Sequence, residues 1–78
     1  MSTILDDALS ALAQRIKLER EAKGWALSDL AGRSGVSKAA ISRIERGEMS
    51  PTAAVLVRLA TAFDLTLAGL LARAESSG

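Results

Sequence analysis

Apolar residues recur along this chain at helical spacing. Leu5, Leu9, Leu12 and Ile16 fall at i, i+4, i+7 and i+11, which draws one stripe on a helix from about Thr3 to Lys23, with Gly24 as its stop. A second, short helix is predicted from about Leu27 to Arg33, with Leu30 and Ala31 inward and Gly35 supplying a left-handed turn after it. Ser37 reads as the N-cap of a third helix, about Lys38 to Arg46, which turns Ile41 and Ile44 to the core and stops at Gly47. Its polar face is Lys38, Ser42, Arg43 and Arg46. Met49-Ser50-Pro51-Thr52 is the clearest loop, and Thr52 caps a fourth helix to about Phe63; Ser50 is the alternative cap, with Pro51 as first helical residue. The stripe of that helix is Leu56, Leu59, Ala60 and Phe63. Thr66 caps a last helix, about Leu67 to Glu75, after which Ser76, Ser77 and Gly78 should fray. No apolar/polar alternation of the strand kind survives beyond a few residues. The class is therefore all-α, a compact five-helix bundle without internal repeats.

Composition narrows the function. The 78 residues leave room for one domain, 1–78, and the 49% hydrophobic share allows a core whose margin of stability is narrow. With no Cys and no His, thiolate and imidazole metal sites, disulfides, and Ser-His or Cys-His nucleophiles are removed together. Neither catalysis nor a cofactor is expected. The longest uncharged run, Met49 to Val57, is far short of the ~20 apolar residues of a membrane span. Two acids in Met1 to Asp7, where a secretory signal carries basic residues, make a cytoplasmic location the default. Net charge is only +1, yet from Arg15 to Arg46 eight basic residues face four acidic ones, and the remainder of the chain is net acidic. One side of the domain is expected to be electropositive.

From Leu27 to Arg46 the residues follow the internal logic of a helix-turn-helix. Ala31 is small where two helices must approach closely, and Gly35 sits where the turn wants positive φ. Leu30, Val36, Ile41 and Ile44 are apolar where the angled pair needs a shared core. The stretch GWALSDLAGRSGVSKAAISRIERGEMSPTAAVLVRLATAFDL, Gly24 to Leu65, resembles the lambda-repressor and Cro-like, or Xre, family, with the GVS start of the recognition helix and the ISRIERG ending intact. The W-x-L-x-x-L-A-x-R-S-G-V-S and E-R-G-E-x-S-P-T patterns are similar to members in which a cupin sensor domain follows the DNA-binding one. No such sensor is present in these residues, so the chain reads either as a stand-alone small regulator or as the DNA-binding piece of a longer protein.

The resemblance implies a five-helix domain, usually dimeric, that places its third helix in the major groove of double-stranded DNA. On that footing Lys38, Ala39, Ser42 and Arg43 are the expected base readers. Arg43 has the planar fork that fits guanine O6 and N7, and Lys38 suits the same atoms or a phosphate. Ala39 offers a methyl group to thymine, and Ser42 can donate or accept, so neither narrows the operator much. Without the surrounding motif this face would read as an ordinary solvated helix surface. Ser28, Ser37, Arg46, Ser50 and Thr52 are the expected phosphate contacts, with solvent the equal alternative for Arg46. The family commonly joins the residues at Arg20 and Glu45, which implies a structural ion pair between helix 1 and the recognition helix.

The chain also departs from the family. Many members carry Ser or Thr and then Gln at the start of helix 2, where this sequence has Ala26 and Leu27, so a cap and a DNA contact are missing. Asp29 at the third helical position is placed to accept from a free backbone N–H. Glu48 is acidic in a loop expected near DNA. Trp25 is assigned to packing, as a hydrophobic staple on Leu30 and not as a base-stacking residue, and Met49 and Phe63 are likewise packing residues.

One recognition helix reads too few base pairs for useful specificity, so a homodimer on a two-fold site is expected. Leu65, Leu67, Leu70 and Leu71 are its candidate interface, with ordinary core as the competing role for Leu67 and Leu70. A transcription regulator is the leading reading. An antitoxin-like module that binds a protein, with DNA binding secondary, is the alternative.

Overall fold

The computed structural model describes residues 4–76, with side chains over 7–76. The expected start at Thr3, the side chain of Leu5, and the tail residues Ser77 and Gly78 lie outside the described residues. Five helices and no strand are found among the described residues: α1 Ile4–Ala22, α2 Leu27–Ser34, α3 Lys38–Glu45, α4 Ala53–Ala62 and α5 Leu67–Ser76. Each boundary falls within a residue or two of its expected place.

Local chemistry sets those boundaries. Ser37 Oγ accepts from the Ala40 N–H at 3.1 Å and Thr52 Oγ1 accepts from the Val55 N–H at 3.2 Å, so α3 and α4 begin at the expected caps. Thr66 Oγ1 accepts from the Gly69 N–H at 2.9 Å and does the same for α5. The methyl group of Ala26 cannot accept, and α2 keeps only half of a capping box: the Ala26 N–H donates to Asp29 Oδ2 at 2.8 Å. At the other end of α3 the Gly47 N–H donates to Ile44 O and the Glu48 N–H to Arg43 O, at 3.0 and 2.8 Å. That paired closure requires φ of 73° at Gly47, a conformation glycine adopts without a Cβ clash. After α4, Asp64 makes the equivalent left-handed turn at φ 60° with no glycine at all. Ser76 does not fray: it ends α5, and its Oγ donates to the Ala72 and Arg73 carbonyls at 3.1 and 3.3 Å.

The core draws on every helix. Leu12 and Ile16 of α1, Leu30 of α2, Ile41 and Ile44 of α3, Leu59, Ala60 and Phe63, and Leu70 and Ala74 of α5 are buried together with Val36 from the turn. α1 packs most extensively on α5, while α2 joins α3 to α4. The ridge of α1 also carries Glu19, buried at 9% exposure, which accepts from Arg15 at 3.4 Å and from Arg73 of α5 at 3.2 Å. Trp25 lies against the core and stacks on Phe63, ring centroids 6.0 Å apart and planes 15° from parallel, with the Arg33 and Lys23 cations over its ring at 4.4 and 5.4 Å.

Leu70 takes the core role that the sequence left open to it. It is 0% exposed and belongs to the core, so it has no surface to offer a second copy. Leu65 and Leu67 are partly buried, and of the four only Leu71, at 40% exposure, faces solvent. A stripe on a short terminal helix does not distinguish the side that docks inward from the side that faces out, and here the inward side takes Leu70 and Ala74.

Candidate nucleic-acid interface

α3 has two faces with opposite tasks. Ile41 and Ile44 are buried at 0% and 1% exposure and seat the helix on the core, while Lys38, Ala39 and Arg43 are exposed and Ser42 is partly exposed. These four expected readers, together with Leu27 and Arg46, line one shallow concavity. Leu27 is the residue that the sequence reading left without a role in recognition. Its signal was available: it is the first residue of α2, and the turn at Gly35, φ 74°, folds α2 back so that its N-terminal end borders α3. An apolar side chain now forms the edge of the polar face.

The orientation of α3 is fixed from behind. Arg20 Nε and Nη2 meet Glu45 Oε2 and Oε1 at 2.8 and 3.0 Å, a two-bond fork between α1 and α3, and Arg20 Nη1 donates to the Trp25 carbonyl at 2.7 Å. Side-chain exposure of this pair is 12% and 6%. The hydrogen bond to Glu45 is the main reason that the guanidinium is held more firmly charged than usual; burial opposes it, and the carboxylates of Glu45 and Glu21 add to it. Glu45 therefore stands as a strut with a committed partner.

Arg46, expected at a phosphate or in solvent, is exposed and bonded to its own neighbours. Its Nε and Nη2 bind Glu48 Oε2 and Oε1 at 2.9 and 3.2 Å, and its Nη1 donates to Ser42 Oγ at 2.9 Å. The cause is the closure at Gly47, which swings Glu48 back over the last turn of α3. By contrast, Lys38 and Arg43 have no side-chain partner among the described residues. Ser28, Ser37, Ser50 and Thr52 are exposed near helix starts; Ser37 and Thr52 already cap their helices through one lone pair. Among the described residues no group of three or more acidic side chains is arranged to hold a metal ion. No single helix among them is long and apolar enough to cross a membrane.

A family model described as "Helix-turn-helix" (HTH_3) matches residues 16–70. The chain is 39% identical over 66 residues to the HTH-type transcriptional regulator SutR of Escherichia coli (strain K12), a match that covers 85% of this chain and 37% of SutR. It is 38% identical over 61 residues to the HTH-type transcriptional regulator SinR of Bacillus subtilis (strain 168), covering 77% of this chain and 55% of SinR. The chain thus spans roughly a third to a half of these curated relatives. Among solved structures it is similar to the restriction-modification controller protein C.AhdI of Aeromonas hydrophila, with a TM-score of 0.75 at 32% identity over 80% of this chain and 94% of that one.

Proposed function

The chain belongs to the helix-turn-helix family HTH_3, and from that membership we propose that it regulates transcription by binding double-stranded DNA as a dimer, with α3 in the major groove of a palindromic operator. The observation that carries this reading is the pairing of two cations without a side-chain partner among the described residues, Lys38 and Arg43, with an α3 held from behind by Ile41, Ile44 and the Arg20–Glu45 fork. A solvated helix face needs no such strut. The regulators and the controller protein among its relatives are consistent with it.

Arg43 reads guanine, Lys38 reads a guanine or meets a phosphate, Ala39 and Leu27 give apolar contact to thymine methyl groups, and Ser42 completes the face. Ser28, Ser37, Ser50 and Thr52 lie at helix starts, where hydroxyls and free N–H groups suit phosphate oxygens. The two-fold contact runs through the outer side of α5 and its approach, Leu71 with Leu65 and Leu67, while Leu70 stays in the core. The cytoplasm is where such a regulator would act.

Selection of bound duplexes from a random pool, run for the wild type and for Arg43→Ala, tests the reading. A palindrome whose half-site loses its guanine preference in the variant is the expected result. A folded wild-type protein that enriches no sequence would falsify it and would direct attention to a protein partner.

A further inference from the structure

Ser42 sits in the middle of the proposed reading face, and a serine there ordinarily carries little information, because a hydroxyl both donates and accepts. Its surroundings bias that choice. Arginine has only donors, so in the 2.9 Å contact between Arg46 Nη1 and Ser42 Oγ the serine oxygen must be the acceptor. The Ser42 hydroxyl makes no other hydrogen bond among the described residues, which leaves its O–H hydrogen and one lone pair uncommitted. Arg46 is in turn held on its other edge by both oxygens of Glu48, and Glu48 is anchored through its backbone N–H to Arg43 O at 2.8 Å.

We propose that Glu48 and Arg46 form a relay that positions Ser42 and biases it toward donating a hydrogen bond to the DNA, so that Arg46 is a positioning residue for base recognition and not a phosphate contact. The relay rests on the DNA-binding reading above and adds a rule to it. The base edge that meets Ser42 is preferred where it presents an acceptor, which means purine N7, guanine O6 or thymine O4, over the amino group of adenine or cytosine, because a cationic donor on Oγ strengthens the O–H as a donor and weakens the remaining lone pair. The Arg46–Glu48 pair is about half exposed, at 57% and 53%, and stabilises the free protein little. Its importance lies in the complex. For Arg46 to turn to a phosphate, it would have to leave two carboxylate bonds and the Ser42 bond, and Glu48 would then face the polyanion without a counter-ion. Keeping the relay intact avoids that repulsion.

The test compares wild type, Ser42→Ala, Arg46→Met and Glu48→Gln, each by selection from random duplexes and by affinity for the wild-type operator as a function of salt. Arg46→Met is expected to relax the same base position as Ser42→Ala, with the preference there falling about three- to tenfold, the range of one net hydrogen bond. Its salt slope should equal that of the wild type. Glu48→Gln releases Arg46 toward the backbone and should raise the slope by about one, as for one added phosphate contact. If Arg46→Met instead lowers the slope by about one and leaves every base preference unchanged, Arg46 is a phosphate contact and the relay is wrong. Should Arg46→Met fail to fold, Glu48→Gln decides alone: an unchanged slope overturns the relay. A wild-type protein that selects no operator overturns the DNA reading itself, an outcome distinct from the other two.

Discussion

At the scale of single residues, glycines illustrate how position decides meaning. Gly32 lies inside α2 with right-handed backbone, and a methyl group built on it meets nothing within 4 Å. Gly32→Ala should therefore stabilise the fold by ~0.5 to 1 kcal/mol, mostly by restricting the unfolded chain, and urea denaturation checks this. An unchanged or lower midpoint would mean that the outer surface of α2 is more crowded than its open space suggests. The same change at Gly47 has open space too, but φ of 73° strains any side chain there, and stability should fall. Much of the candidate site was legible at this scale, since the family resemblance says which face of α3 meets DNA and helical spacing puts Lys38, Ala39, Ser42 and Arg43 on one side of that helix. What escaped was decided by through-space neighbours: that Glu48 folds back onto Arg46, and that Leu70 points inward while Leu71 points out.

Among the elements, the joint between α1 and α3 holds the most deeply buried ion pair found among the described residues. Arg20 and Glu45 are mostly buried, so deleting one partner strands the other in a medium that solvates it poorly. Arg20→Ala is expected to cost ~3 to 5 kcal/mol, a large share of the stability of a domain this small, whereas replacing both residues by apolar ones of similar volume should cost far less. Chemical denaturation of the two variants separates the outcomes; equal losses would show that the pair is attractive on balance. Because the Arg20 pKa is raised, its contribution is fully present below the unfolded guanidinium value and is lost only as pH rises through the folded one. The strut is thus indifferent to pH near neutrality. Helix order and ends were readable because Ser37, Thr52, Gly24 and Gly47 are strong local punctuation. The link from Glu19 to Arg73 was not, since it joins residues 54 positions apart and only packing of α1 on α5 brings them together. Asp64 was equally silent, an ordinary acidic residue in sequence that adopts a left-handed turn only because the chain must reverse after α4.

For the molecule as a whole, a net charge of +1 hides a basic stretch from Arg15 to Arg46 and acidic flanks, so DNA affinity should fall steeply with salt while the protein as a whole stays nearly neutral. Dimer formation should depend on Leu71, which is 40% exposed: Leu71→Glu is expected to give a monomer by sedimentation at high micromolar concentration while circular dichroism stays helical. A wild-type monomer under those conditions would contradict the two-fold model, and a dimeric Leu71→Glu would move the contact elsewhere. The single tryptophan has a further use. Trp25 follows the end of α1, precedes α2, stacks on Phe63 at the C-terminal end of α4 and carries two cations over its ring, so its indole environment exists only when three helices are assembled. It is also absent from the concavity that holds the proposed readers. The chain consequently contains its own optical probe of assembly: intrinsic fluorescence registers loss of the fold in any variant, unlabelled and with one emitter, and does so from outside the surface on which bound DNA would rest.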